Sequence, residues 1–387
     1  MHVEAIERGG HLRRTPRRTG PNIAARLRRI ALVGASVVLI PAAISFALTM
    51  HETSNSSFSI RSVEWLRDHG GAGLVASVEN FYYEFTAPAK GGPALRSLPK
   101  VGYGAGSAAA IARRAEERPA PVPSFITPAL AGEGIWRPTR PDLARNPPLL
   151  LTTLRDQPEY PRVVSGLAWI DTKRTRLTLN PGRLEPSVEL PRGAMDVPES
   201  ARGTLLATFN SGFKLTDSHG GFAVNGHTYA PFTNGQGTIV GYDNGTVGVI
   251  NWTYGPDIPA GVSFARQNLP LIVSEGRPSP DIGNSSDWGT TVGNAILVWR
   301  SAIGVDAHGN LIYAAGDHQT VASLANVLIR AGGVRAMELD INSYWVTFIS
   351  YGSIDGEGPT KLLEGMERPA TRYLEPDDRD FFALYSR

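Results

Sequence analysis

The spacing of apolar and polar residues changes several times along the chain, and each change marks a different kind of element. Ile30–Met50 is apolar and carries no charge. At about 1.5 Å per residue this run predicts a transmembrane helix able to cross a hydrocarbon core of about 30 Å. Pro41 lies inside it and is tolerated there by local adjustment of the backbone. Ile60–Gly71 reads as a short helix, with the Gly70-Gly71 pair as its C-cap. Leu74–Phe85 reads as a second helix. Its Phe81, Tyr82, Tyr83 and Phe85 suit a membrane interface and packing on the domain equally well.

From Pro88 to Pro148 the pattern is lost. Eleven prolines, Gly91-Gly92 and a small-residue run from Gly102 to Ala110 predict an extended linker over 88–160. One island, Gly132-Glu133-Gly134-Ile135-Trp136-Arg137-Pro138, is expected to dock on the domain that follows. That domain is predicted to begin near Pro161, with strands at Arg162–Asp171 and Thr175–Asn180. Three hairpins follow. Asn225-Gly226 joins Gly221–Val224 to His227–Ala230, Asp243-Asn244-Gly245 joins Thr238–Tyr242 to Thr246–Asn251, and Ala307-His308-Gly309-Asn310 joins Ala302–Val305 to Leu311–Ala314. Val321, Leu324, Ala325, Leu328 and Ile329 form one apolar stripe, predicting a helix over Thr320–Ala331. Thr320 or Asp317 can cap it, and Gly332-Gly333 ends it. A strand is expected from Val334 to about Ser350. The fold class is therefore α+β, with a β-rich mixed sheet, hairpins and one prominent packed helix, preceded by the transmembrane helix and the Pro-rich linker.

Charge refines the picture at the N-terminus. Residues 1–29 hold eight arginines against Glu4 and Glu7, which leaves 30 of the 38 basic and 34 of the 36 acidic residues for the rest. Without a basic face on the body, a nucleic-acid partner is excluded. Arginines before the apolar run place 1–29 in the cytoplasm and everything after Met50 outside, in a single-pass cell-membrane protein anchored through 30–50. The competing expectation is a cleaved signal peptide, with Ser45-Phe46-Ala47 as the small-residue site. The chain has no cysteine, which is compatible with export without disulfides. The organisation read from the chain is a basic arm (1–29), an anchor (30–50), juxtamembrane helices (51–87), a linker (88–160) and a folded domain (161–387).

Four segments carry candidate chemistry. In Met337-Glu338-Leu339-Asp340-Ile341-Asn342, strand alternation puts Glu338, Asp340 and Asn342 on one face, a pair of carboxylates beside an amide; an exposed sheet face gives the same alternation. Asn210-Ser211-Gly212-Phe213 follows a strand and forms a turn that can aim an amide at an anion, or a plain turn. Arg300-Ser301 opens a strand in which the guanidinium can clamp phosphate, or lie at the surface. Asp317-His318 stands before the helix, where an anion is favoured and where Asp317 can equally act as a cap. His219 and His227 are too loosely spaced to indicate a metal.

The order of these segments resembles the phosphodiester glycosidase family over roughly Leu205 to Ser343. Asn210, Gly212 and Phe213 match its Asn-Gly-Gly-Phe-Phe. Arg300, Ala302, Ile303 and Gly304 match its Arg-Thr-Ala-Ile-Gly, extended here by Ser301 and Asp306, and Leu339-Asp340 matches the start of its Leu-Asp-Gly-Gly-Gly-Ser. Ser211 replaces one glycine, and Ile341, Asn342 and Ser343 replace the last run. The resemblance implies hydrolysis of the glycosyl bond of a sugar phosphodiester in an envelope glycan, without a cofactor or metal. It implies Asp340 and Glu338 as catalytic carboxylates with Arg300. Asn210, Gly212, Phe213, Ser301, Gly304, Asp306, Asp317, His318 and Asn342 would then bind substrate. The two alternatives are a non-catalytic glycan-binding module on the same fold and a metal-dependent hydrolase using Asp317 and His318.

Overall fold

The computed structural model describes residues 23–93, 95–102, 119–140, 146–289, 297–352 and 358–387. Residues 1–22 of the basic arm and 103–110 of the small-residue run lie outside them. The chain forms two compact units, Met1–Glu52 and Thr53–Arg387. In the first, helix α1 (Ile23–His51) covers 29 residues. It starts a turn or two before the uncharged run, because Ala24, Ala25, Leu27 and the arginines there are good helix formers. It is long and apolar enough to cross a membrane, as an anchor or as a signal sequence.

Among the described residues, the second unit holds three sheets. The first runs edge to edge as β1 (Arg137–Pro138), β2 (Leu149–Leu154), β3 (Ser165–Ile170), β14 (Leu311–Gln319), β13 (Val298–Asp306), β15 (Gly333–Glu338), β11 (Leu271–Ser274) and β12 (Arg277–Pro278). The second runs β7 (His227–Ala230), β6 (Phe222–Val224), β10 (Val262–Gln267), β8 (Gly237–Tyr242) and β9 (Val247–Asn251). The third runs β17 (Thr360–Lys361), β16 (Phe348–Ser350), β5 (Leu205–Asn210), β18 (Phe381–Ser386) and β4 (Thr175–Asn180). The α+β class holds. Within it, every described strand pair is antiparallel rather than mixed, and the pairs consecutive in the chain, such as β6–β7, β8–β9 and β13–β14, are hairpins.

The first sheet is buried on both faces, so its strands carry apolar residues at consecutive positions. Leu149, Leu151, Ile303 and Met337 meet Leu177, Phe209 and Phe382 of the third sheet and Phe222, Ile239 and Phe264 of the second in one central core. Phe209 stacks on Phe348 and Phe382 there, with ring centroids 5.9 and 5.2 Å apart. The opposite face of the first sheet, through Leu150, Trp169, Ile312 and Ala336, packs on Val321, Leu324 and Leu328. These belong to the helix Val321–Arg330, labelled α5 after the short α4 (Leu215–Ser218). Thr320, not Asp317, caps α5: its side chain accepts from Ser323 N at 2.9 Å.

The predicted hairpins form as expected, Asn225 and Gly226 taking φ of 53° and 70° at the first. Two expectations change. The segment read as linker carries β1 and β2, and β2 is fully buried. Pro138 is accommodated because β1 lies at the sheet edge, where an amide is not needed. The island docks as anticipated. Trp136 is buried and donates from Nε1 to Ala120 O. Gly134 has φ 72°, and a Cβ there would meet Val122 O at 1.9 Å. Second, the strand expected from Val334 to Ser350 splits into β15 and β16, which belong to different sheets. Asp340 Oδ1 accepts from Asn342 N and Asn342 Oδ1 from Tyr344 N, each at 2.9 Å. These side-chain turns compete successfully with a continued ladder.

Residues 53–86 are also part of the folded unit. Ser56 Oγ donates to Asp378 Oδ2 at 2.8 Å, and Asn55 Oδ1 accepts from Arg368 Nη2 at 2.8 Å. Helix α2 (Phe58–Leu66) runs through the irregular turn Arg67–Gly71 into α3 (Ala72–Thr86). Gly70, at φ 87°, bends the path between the helices and does not end the helical run.

Candidate active site

The turn that ends β15 places Asp340 in a pocket of about 570 Å³, within the size range of small-ligand sites. Asp340 is 3% exposed, and its Oδ2 accepts from Arg379 Nη2 at 3.0 Å. The same guanidinium nitrogen donates to Gly212 O at 3.1 Å, and Trp345 lies under the group at 5.1 Å. The Nε of Arg379 is buried and has no partner among the described residues. Burial pushes the Asp340 carboxyl above its ordinary value, with Arg379 and the Asn342 amide pulling it back. Burial opposes the charge on Arg379, but Asp340, Glu185 and Asp380 outweigh it and keep the guanidinium charged.

A saturated network holds Asp340 from behind. Ser301 Oγ donates to Asp340 O at 2.9 Å and accepts from Asn210 Nδ2 at 3.0 Å. Asn210 Nδ2 also donates to Ser211 O, while Asn210 Oδ1 accepts from Tyr313 OH and Thr347 N, both at 3.0 Å. An amide has two donors and two acceptor positions, and all of them are occupied within the protein. Asn210 thus holds the scaffold and does not face the pocket. Asn268 supports the same turn, donating to Glu338 O and Leu339 O at 2.8 Å each. Gly212 packs closely beside it, since a Cβ would stand 3.0 Å from the Asn268 side chain.

Other expected site residues lie elsewhere. Arg300 and Asn210 do not converge on one pocket. Arg300 points to the α5 side of the sheet, where Nη1 donates to Glu338 Oε1 at 2.6 Å and Nε to Gln319 O at 3.1 Å. Glu338 and Arg300 are therefore a buried pair away from the pocket. Gly304 is set by packing, because a Cβ would meet Arg335 O at 2.7 Å. Asp306 sits at the far end of β13 and accepts from His308 N and Asn310 N across the hairpin, at 2.8 and 2.9 Å. Asp317 pairs with His318 at 3.1 Å, and His318 Nε2 contacts Thr86 O, the last residue of α3, at 3.2 Å. Phe213, Asp340 and Asn342 do line the pocket.

Helices α2 and α3 and the turn between them line another side of the pocket, opposite Lys214. Lys214 Nζ pairs with Glu64 at 2.7 Å and with Asp68 at 3.3 Å, and Arg67 pairs with Glu64 at 2.8 Å. Burial opposes ionisation of Glu64, but Lys214 and Arg67 outweigh it and hold its carboxyl below the ordinary value. Tyr83 also lines the pocket, and burial pushes its hydroxyl up to about 12. Each of the three pocket cations, Arg67, Lys214 and Arg379, is thus paired with a carboxylate. Among the described residues no group of three or more His, Asp and Glu is arranged to hold a metal ion.

Arg379 was not singled out from the sequence. It sits in Asp377-Asp378-Arg379-Asp380, which reads as a surface turn yet is wholly buried. The legible signal is that four charges directly precede the apolar strand β18. Buried charges need partners, and here Arg372, Arg183, Asp340 and Arg266 supply them.

Asp156, just after β2, is a buried carboxylate with no cation paired to it among the described residues. Its Oδ1 takes a 3.4 Å bond from Gln319 and its Oδ2 none among the described residues. Burial raises its pKa to about 7 from 3.8. Between those two values the folded state binds the extra proton, so this group makes the fold less stable as pH rises from about 4 to 7. In thermal melts across that range Asp156→Asn is expected to flatten the fall. An unchanged profile would contradict the assignment.

No protein-family profile matches the chain, and no curated protein matches it. Solved structures with loose likeness to the chain include the following three. The zebrafish N-acetylglucosamine-1-phosphodiester alpha-N-acetylglucosaminidase catalytic domain, auto-inhibited by its pro-peptide, is 16% identical with a TM-score of 0.43, over 62% of this chain and 84% of that one. A hypothetical protein from Synechocystis is 13% identical with a TM-score of 0.35, over 63% and 65%. A putative exported protein from Burkholderia pseudomallei is 12% identical with a TM-score of 0.29, over 59% and 75%.

Proposed function

We propose that the pocket over Asp340 hydrolyses the glycosyl bond of a sugar phosphodiester in an envelope glycan, in a protein anchored by α1 with its folded unit outside the cytoplasm. The observation that carries this reading is the Asp340–Arg379 pair, a buried carboxylate and a guanidinium that line one pocket at the Leu-Asp position. Water adds to the anomeric carbon, the bond from that carbon to the phosphate oxygen breaks, and a phosphomonoester leaves. A phosphate leaving group needs little acid assistance, so the requirements are a carboxylate for the oxocarbenium-like charge and cations for the phosphate. Asp340 takes the first role. Arg379 and Lys214 take the second, which the sequence had assigned to Arg300.

Because Glu64 and Asp68 occupy Lys214, a phosphate must displace them. Glu64→Gln is therefore expected to lower KM for a chromogenic sugar phosphodiester about tenfold, since a hydrogen bond to a charged group contributes about 1.5–3 kcal/mol. An unchanged or higher KM would remove Lys214 from phosphate binding. The second reading, a non-catalytic glycan-binding module, is favoured by the ion pairing of Asp340 itself. It predicts saturable binding of the phosphodiester with no product released.

A further inference from the structure

Outside α1, eight large apolar side chains stand exposed among the described residues, and six of them lie between Phe58 and Phe85. Five of the six, Leu74, Val78, Phe81, Tyr82 and Phe85, lie on α3 and are 61–84% exposed. Their spacing, i, i+4, i+7, i+8 and i+11, gathers them into an arc about 100° wide on the helix. The adjoining arc faces inward. Val75 is buried, Glu79 pairs with Arg67 at 2.5 Å, and Tyr83 lines the pocket. The His318–Thr86 contact holds the end of α3 against the domain, so the apolar arc is presented outward by a fixed helix.

Monomeric soluble proteins rarely leave such a patch uncovered. We infer that the outer face of α3 lies in the headgroup layer of the membrane that α1 spans, so that one helix has lipid on one face and the pocket on the other. Chain connectivity selects this occupant. Residues 52–57 are the whole connection from α1 to α2, and six extended residues reach at most about 20 Å. The exposed Phe and Tyr side chains suit the interface, where helices with an apolar face sink about 5–10 Å. This inference rests on the anchor reading above, and its test separates the two.

The absence of cysteine allows single-site labelling of the full chain. Phe85→Cys, Ile40→Cys and Tyr254→Cys, each carrying an environment-sensitive fluorophore, are reconstituted in phosphatidylcholine and phosphatidylglycerol vesicles with brominated acyl chains. Labels at 40 and 85 are expected to be quenched severalfold more strongly than the label at 254, which is exposed far from α3 in the sequence. Quenching at 40 without quenching at 85 overturns the docking of α3 and leaves the anchor intact. No quenching at 40 overturns the anchor and, with it, the docking. A label at 85 shielded from aqueous iodide yet untouched by bromolipid means that protein covers the face, which also overturns the inference.

Discussion

Asp340→Asn is expected to reduce turnover of a sugar phosphodiester by about 10²–10⁴, because the lost charge acts on the transition state. The substitution keeps shape and volume. It also leaves the buried Arg379 without its nearest carboxylate, so stability should fall by about 1–3 kcal/mol. Strand alternation puts Glu338 on the same face as Asp340, but the like charge does not decide the outcome. In the structure Glu338 is paired with Arg300 and Asp340 with Arg379. The assay needs a variant confirmed as folded by circular dichroism. Near-wild-type turnover in such a variant would remove Asp340 from the chemistry.

Arg379→Met is expected to have the largest effect on stability. Both members of the Arg379–Asp340 pair are almost fully buried, at 8% and 4% side-chain exposure. Removing one partner of a buried pair typically costs about 3–5 kcal/mol, because the other charge is left uncompensated. Turnover should be lost as well, since the phosphate-facing cation is gone. The double variant Asp340→Asn/Arg379→Met separates the two roles. It removes both charges together, so its stability loss should be smaller than the sum of the single losses by about 0.5–3 kcal/mol. Purely additive losses in chemical denaturation would show that the pair is not coupled.

The parts of the fold that the sequence disclosed are those set by local patterns. The α5 stripe, its Thr320 cap and the Asn225-Gly226 turn each depend on residues close in the chain. Features set by distant partners were hidden. β1 and β2 looked like linker because Pro138, Pro147 and Pro148 surround them, yet β2 pairs along its length with β3. The break after Glu338 depends on the side chains of Asp340 and Asn342 capturing backbone amides, which alternation alone does not show.

The same division applies to the site. Asp340, Asn342 and Phe213 line the pocket and were named from their segments. Arg300 was misplaced because neighbours in a strand face opposite ways: Ser301 joins the network behind Asp340, and Arg300 turns to Glu338. Arg379 lies 39 positions from Asp340, and Lys214 meets Glu64 only through tertiary folding. Pairing at that range leaves no local period to read.

Hydrolysis at the anomeric carbon is tested most directly by which bond breaks. The purified full chain, incubated with a sugar phosphodiester in water enriched in oxygen-18, should release a phosphomonoester free of the label, because water attacks the anomeric carbon and the phosphate keeps its own oxygens. Label in the released phosphate, or no release at all, would contradict it.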